Sequence, residues 1–200
     1  SRPYEFEGLG ITFDERRDIQ EEAIPIVLDA FHGKKLDHRG KYFRSKVGGD
    51  YELFPVSLQR PHPPLYMAAG TELSIAFAAG HGFGLMLSTL PSAEVLAGQI
   101  AFYRERVRQA PKPYNANPAC NHVDIARWVY VADTDADARA DSEAGILRHL
   151  AHFMGKSTAG YLGTVSEKGS GDLNYDALAA TTLLHGSPET VTRKLRQLAD

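Results

Sequence analysis

A chain of 200 residues with 43% hydrophobic, 24% charged and 10% aromatic residues has the make-up of a folded globular protein that can bury a real core. Its formal net charge of -3 gives no basic footprint for nucleic acid, and no apolar run approaches the length of a membrane span. The single cysteine, Cys120, excludes an internal disulfide and fits a reducing, cytoplasmic setting.

Ser1 to Ile11 holds no strand-like run, and Leu195 to Asp200 stop inside a helical pattern without a cap, so both ends read as interruptions. Thr12-Phe13-Asp14-Glu15 has the capping-box form, a hydroxyl at the N-cap and a carboxylate three residues on. Ile19, Ala23, Ile26, Val27 and Ala30 then recur at helical spacing as far as Gly33, with Pro25 expected to bend the helix. Residues 34–64, carrying Pro55, Pro61, Pro63 and Pro64, read as a long irregular excursion with small extended pieces.

The rhythm is regular from there. Leu65 to Ala69 is a short apolar run ended by Gly70, and a helix is expected from Thr71 to Gly80. Phe83 to Leu87 is a second run, followed by Ser92 as N-cap of a helix reaching about Gln109. Ile125 to Ala132 is the longest expected strand, and Asp133-Thr134-Asp135 caps a helix to about Phe153. Residues 155–172, rich in Gly, Ser and Thr, read as a mobile surface loop. A helix follows through Leu184, and Ser187-Pro188-Glu189 opens the last one with proline in its first turn.

Alternating short apolar runs and helices predict an α/β fold with a parallel sheet, its strands buried on both faces. Three crossover strands cannot close a barrel, which needs about eight. Either the sheet is small and open, or these residues are part of a (β/α)8 TIM barrel; the interrupted ends favour the second, a single incomplete domain over residues 1–200.

Four stretches, in order, resemble the luciferase-like flavin-dependent monooxygenases. They are Glu5-Phe6-Glu7-Gly8-Leu9-Gly10-Ile11 into Phe13-Asp14-Glu15-Arg16, then Leu36-Asp37-His38-Arg39-Gly40-Lys41-Tyr42-Phe43. The most specific runs from Gln59-Arg60-Pro61-His62-Pro63-Pro64-Leu65 through Ala68-Ala69-Gly70-Thr71-Glu72-Leu73-Ser74 to Ala78-Ala79-Gly80-His81-Gly82. Last come Val129-Tyr130-Val131-Ala132-Asp133-Thr134 and Gly186-Ser187-Pro188-Glu189. The resemblance implies that the three runs are the fifth, sixth and seventh barrel strands, with strands 1–4 absent and the eighth expected after Asp200. It also implies reduced FMN from a separate reductase, molecular oxygen, a small organic substrate and a homo-oligomer. A deazaflavin-dependent hydride-transfer enzyme and a non-catalytic flavin-binding protein are the alternatives within that resemblance.

One turn has a rationale of its own. A strand ending in Gly70-Thr71 and entering a helix presents backbone N–H groups and roughly half a positive charge at the helix start, with Ser74 one turn on. Spacing alone favours an ordinary helix cap; the resemblance turns Gly70, Thr71 and Ser74 into the site for the flavin 5′-phosphate. It leaves the catalytic residues unassigned, the family's usual histidine belonging to an early strand.

Other residues read more plainly. His62 between prolines marks a rigid turn, and His149 and His152 share metal-ligand spacing without a third ligand, so no metal is expected. Arg127, charged inside an apolar strand, either faces the barrel mouth or pairs with a carboxylate on a neighbouring helix. Cys120 has only His122 nearby and reads as no nucleophile.

Overall fold

A computed structural model of the chain describes residues 3–33, 35–47, 53–155 and 174–199. The expected mobile loop over 155–172 lies outside them, apart from Gly155. The chain divides into two compact units, one of Ser1–Leu65 with Ala116–Pro118 and one of Tyr66–Asn115 with Ala119–Asp200.

The first unit opens with α1 (Pro3–Gly8), and a 3-10 turn over Phe13–Glu15 leads into α2 (Arg16–Phe31), which runs unbroken through Pro25. The expected capping box does not form, because Thr12 makes no side-chain cap bond. Glu15 turns instead to Lys41 Nζ and the Tyr42 hydroxyl, each donating at 3.0 Å. The irregular excursion contains an antiparallel hairpin, β1 (Asp37–Arg39) and β2 (Arg44–Lys46), with His38 opposite Ser45. Glu22 of α2 holds its tip: one carboxylate accepts from Phe43 N at 2.8 Å, Tyr42 N at 3.0 Å and His38 Nε2 at 3.0 Å. Burial pushes the Glu22 carboxyl up, but His38 and then the Phe43 and Tyr42 amides outweigh it and hold it down at about 2.

The second unit alternates as expected: β3 (Tyr66–Ala68), α3 (Glu72–Gly80), β4 (Gly84–Leu87), α4 (Ala93–Val107) and β5 (Val123–Ile125). The three strands pair in parallel in the order β3-β4-β5, with Met67 beside Leu85 and Leu85 beside Val123. Ile75, Ala78 and Ala79 recur at helical spacing on α3 and are buried, as are Leu85 and Leu87 on β4 and Leu96, Tyr103 and Val107 on α4. The Tyr103 hydroxyl donates to Phe83 O at 2.6 Å, and burial pushes its pKa up to about 12. Ala69 continues the ladder, its N–H donating to Met86 O at 3.2 Å.

The single long strand expected from Ile125 to Ala132 is two. β5 ends at Ile125, Ala126 N makes a last rung to Leu87 O, and β6 (Val129–Val131) pairs elsewhere. Its parallel partner is β7 (Leu184–Gly186), Val129 beside Leu184 and Val131 beside Gly186. Arg127 sits at the break. Its guanidinium donates to the carbonyls of Ser88 at 3.2 Å, Thr89 at 3.1 Å and Pro91 at 2.7 Å, beyond the end of β4, which draws the backbone off the ladder.

The helix expected through Leu184 also ends early. α5 (Asp135–Gly155) precedes α6 (Tyr175–Thr181), Thr182 leaves the helix and donates its hydroxyl to Leu90 O at 3.0 Å, and the chain enters β7 and then α7 (Pro188–Ala199). The sequence counted three crossover strands and placed the next beyond Asp200; β7 adds a parallel strand inside the chain. Leu90, Ile146, Leu150, Tyr175, Leu178 and Leu183 form a core, with Trp128 against it.

Burial of strands on both faces holds for most of β4 and fails for β3, β5 and β6; in β6, Val129 is 55% and Val131 49% exposed. Among the described residues the strands form sheets of two, three and two, and none closes. No helix among them is long and apolar enough to cross a membrane.

Candidate functional site

The turn from β3 into α3 has the local geometry expected of it. Thr71 is the N-cap, extended at φ -103 and ψ 151, and its hydroxyl oxygen accepts from Ser74 N at 3.3 Å. The Thr71 and Ser74 hydroxyls stand 2.8 Å apart, so the two polar side chains sit together on the first turn. A Cβ added at Gly70 would meet nothing within 4 Å, so the chain's own packing does not require glycine there. There is room on the Gly70 side of the turn. Leu73 beside it is 71% exposed.

Gln99 of α4 is the residue the sequence did not reveal. Its Nε2 donates to Gly70 O at 2.8 Å, which ties the turn to the neighbouring helix and fixes its carbonyl. The Gln99 Oε1 is buried without a hydrogen-bond partner among the described residues. No local pattern marks a contact between residues 29 apart in the chain.

Hydroxyls, helix-start N–H groups and the positive end of the helix dipole are a combination that can hold a phosphate ester. Gly70, Thr71 and Ser74 are thus brought together on one turn, and the open space at Gly70 suits the approach of a phosphate group.

The remaining candidates resolve into structure. His62 is buried; its Nδ1 stands 2.7 Å from Pro63 O and its ring lies near Phe31 and His32. His149 lies edge-on to Trp128, with ring centres 5.9 Å apart. Among the described residues Arg127 bonds no carboxylate; its guanidinium goes to backbone carbonyls just beyond the end of β4, and burial lowers its pKa. Burial also pushes the Cys120 thiol up, the wrong direction for a nucleophile.

All 200 residues match the family model described as luciferase-like monooxygenase. The chain belongs to the luciferase-like monooxygenase family. Among solved structures, the monooxygenase RslO1 of Streptomyces bottropensis is similar with a TM-score of 0.68 at 22% identity, covering 99% of this chain and 56% of that one. The oxygenating constituent of 3,6-diketocamphane monooxygenase of Pseudomonas putida, a type II Baeyer-Villiger enzyme solved with FMN, gives 0.66 at 18% identity, covering 99% and 58%. At these identities the likeness is one of fold. An F420-dependent glucose-6-phosphate dehydrogenase of Rhodococcus hoagii is 24% identical over 140 residues, 68% of this chain and 38% of that protein. The chain therefore spans less than two thirds of the length of each of these proteins.

Proposed function

We propose that the chain is part of a flavin-dependent monooxygenase in which Gly70, Thr71 and Ser74 hold the phosphate of reduced FMN. The observation that carries this reading is the paired hydroxyls at the start of α3, with room at Gly70, in a chain whose whole length matches the family. When bound, the reduced flavin supplies electrons to molecular oxygen for oxidation of a small organic substrate. This chain's residues bind and orient: Thr71 and Ser74 offer hydroxyls, Gly70 allows close approach, and Gln99 positions the turn. The reading extends to an incomplete TIM-barrel domain within a longer cytoplasmic protein, supplied by a separate flavin reductase and assembled with copies of itself.

The F420-dependent relative favours a second reading, a deazaflavin enzyme that transfers hydride without oxygen. The full-length protein separates the two. Photoreduced FMN with candidate substrates should drive oxygen consumption and oxygenated product, with no turnover of deazaflavin, oxidised or reduced, in an anaerobic cuvette. Deazaflavin turnover without oxygen selects the second reading, and binding of FMN without either leaves a flavin-binding protein.

A further inference from the structure

β7 carries a histidine that the α3 turn does not use. His185 is 7% exposed, packed against α5 and α6. The Ser142 hydroxyl donates to Ala138 O at 2.6 Å, which commits its only proton. His185 Nδ1, 2.8 Å from Ser142 Oγ, must therefore carry the hydrogen that joins them, and the Tyr175 hydroxyl stands 3.3 Å from both atoms. A neutral ring protonated at Nδ1 keeps its lone pair on Nε2, which takes no hydrogen bond among the described residues. The ring lines a cleft of about 390 Å³ together with Asp135, Arg139, Tyr175, Arg193 and Lys194.

Most of those groups are already committed. Arg139 is held by Glu143 at 2.8 Å and Asp176 at 2.6 Å, and Asp135 by the Ser187 amide and the Thr190 hydroxyl. Lys194 places its ammonium on the carbonyls of Ala179, Leu183 and His185 at 2.8, 3.0 and 3.1 Å, so it contributes charge and no spare donor. What the cleft offers a ligand is an acceptor at Nε2, the exposed Arg193 guanidinium and the fixed positive charge of Lys194. An anion that keeps a proton satisfies all three with one group, whereas sulfate or a simple carboxylate leaves Nε2 without a donor. We propose that this cleft binds a protonated phosphate group, its P–O–H donating to His185 Nε2 and its other oxygens accepting from Arg193. Burial, and then the charge of Lys194, holds the imidazole below its ordinary pKa and keeps the ring neutral at neutral pH. The charged and titratable groups facing it are Asp135 and Arg139 from α5, Tyr175 from α6, Tyr130 from β6, and Arg193 and Lys194 from α7.

The experiment follows the ring nitrogens of His185 by NMR while the whole chain is titrated with inorganic phosphate, methyl phosphate or sulfate. At about pH 8 inorganic phosphate keeps a proton, whereas a monoester, with its second pKa near 6, has lost it. Phosphate is expected to shift the Nε2 resonance at that pH while methyl phosphate and sulfate do not, and at about pH 6 methyl phosphate should join it. Arg193→Gln, on an exposed side chain, should weaken phosphate binding about tenfold, in the range of one charge-assisted hydrogen bond. Ser74→Asp, at the α3 turn, should leave the His185 response to phosphate unchanged. No His185 response to phosphate, equal binding of sulfate at the higher pH, or an Arg193→Gln protein that binds as before overturns the proposal. Loss of the His185 response in Ser74→Asp, with Arg193→Gln responding as before, would trace that response to phosphate at the α3 turn, and the cleft would be refuted while the cofactor reading stood.

Discussion

Two turns in the second unit share a design and end differently. β3 passes through Gly70 and Thr71 into α3, and β7 through Gly186 and Ser187 into α7. At α7 the chain supplies the anion itself: Asp135 accepts from Ser187 N at 2.6 Å and from the Thr190 hydroxyl at 2.9 Å, and these bonds, the Ser187 amide foremost, lower its pKa. Gly186 is locked in, with φ +148 and Thr190 and Asp135 atoms 2.6 and 2.8 Å from where a Cβ would stand. At α3 the cap is a pair of neutral hydroxyls, and the space at Gly70 is open. The same local pattern is thus closed around its glycine in one place and leaves room at its glycine in the other. A strand–glycine–hydroxyl–helix pattern becomes a ligand site only where the rest of the chain does not fill it.

The two glycines test that contrast most severely. Gly186→Ala should lose about 1–3 kcal/mol to backbone strain, before any crowding, whereas Gly70→Ala should leave the melting temperature where it was. Equal losses would erase the difference between the turns. Ser74→Asp in the full-length protein comes next: a negative charge one turn from the phosphate should weaken FMN binding about tenfold or more and spare riboflavin, which has no phosphate. Parallel loss of both ligands in a fluorescence titration would make Ser74 structural. Asp135→Asn should lower the melting temperature by a few degrees at neutral pH. Because the folded Asp135 pKa is depressed, the wild-type advantage is present above the ordinary carboxylate value near 3.8 and is lost as pH falls through the lowered one. An advantage that persists in strong acid would mean that the charge is not what holds α7. The smallest effect belongs to Gln99→Leu, which frees the Gly70 carbonyl and should weaken FMN binding a few-fold with little change in stability. Unchanged FMN affinity would show that the turn holds its shape without Gln99.

The helices of the second unit were legible because their N-caps are local: Thr71 and Ser92 bond the amides of Ser74 and Val95, three residues on. Parallel order followed from the alternation of runs. The breaks were not legible, since what ends β5 is a set of carbonyls from residues 88–91 that Arg127 meets only after folding. β7 was hidden because Leu183 and Leu184 prolong the apolar pattern of α6, and a three-residue strand carries little period of its own. Thr12-x-x-Glu15 misled for the opposite reason: the local motif was complete, but Lys41 and Tyr42 offered Glu15 better partners. At the proposed site, Gly70, Thr71 and Ser74 came from the resemblance, since spacing alone favoured an ordinary helix cap. Gln99 and His185 could not be read, because their partners lie far along the chain.

The Glu22 clamp gives the first unit an unexpected kinetic signature. A hairpin tip standing in solvent normally trades its amide hydrogens for deuterium almost at once, yet those of Tyr42 and Phe43 both end on one carboxylate of α2. They are expected to exchange slowly and together, at the rate at which the hairpin lifts from α2, so two backbone hydrogens report the opening of a helix–hairpin joint.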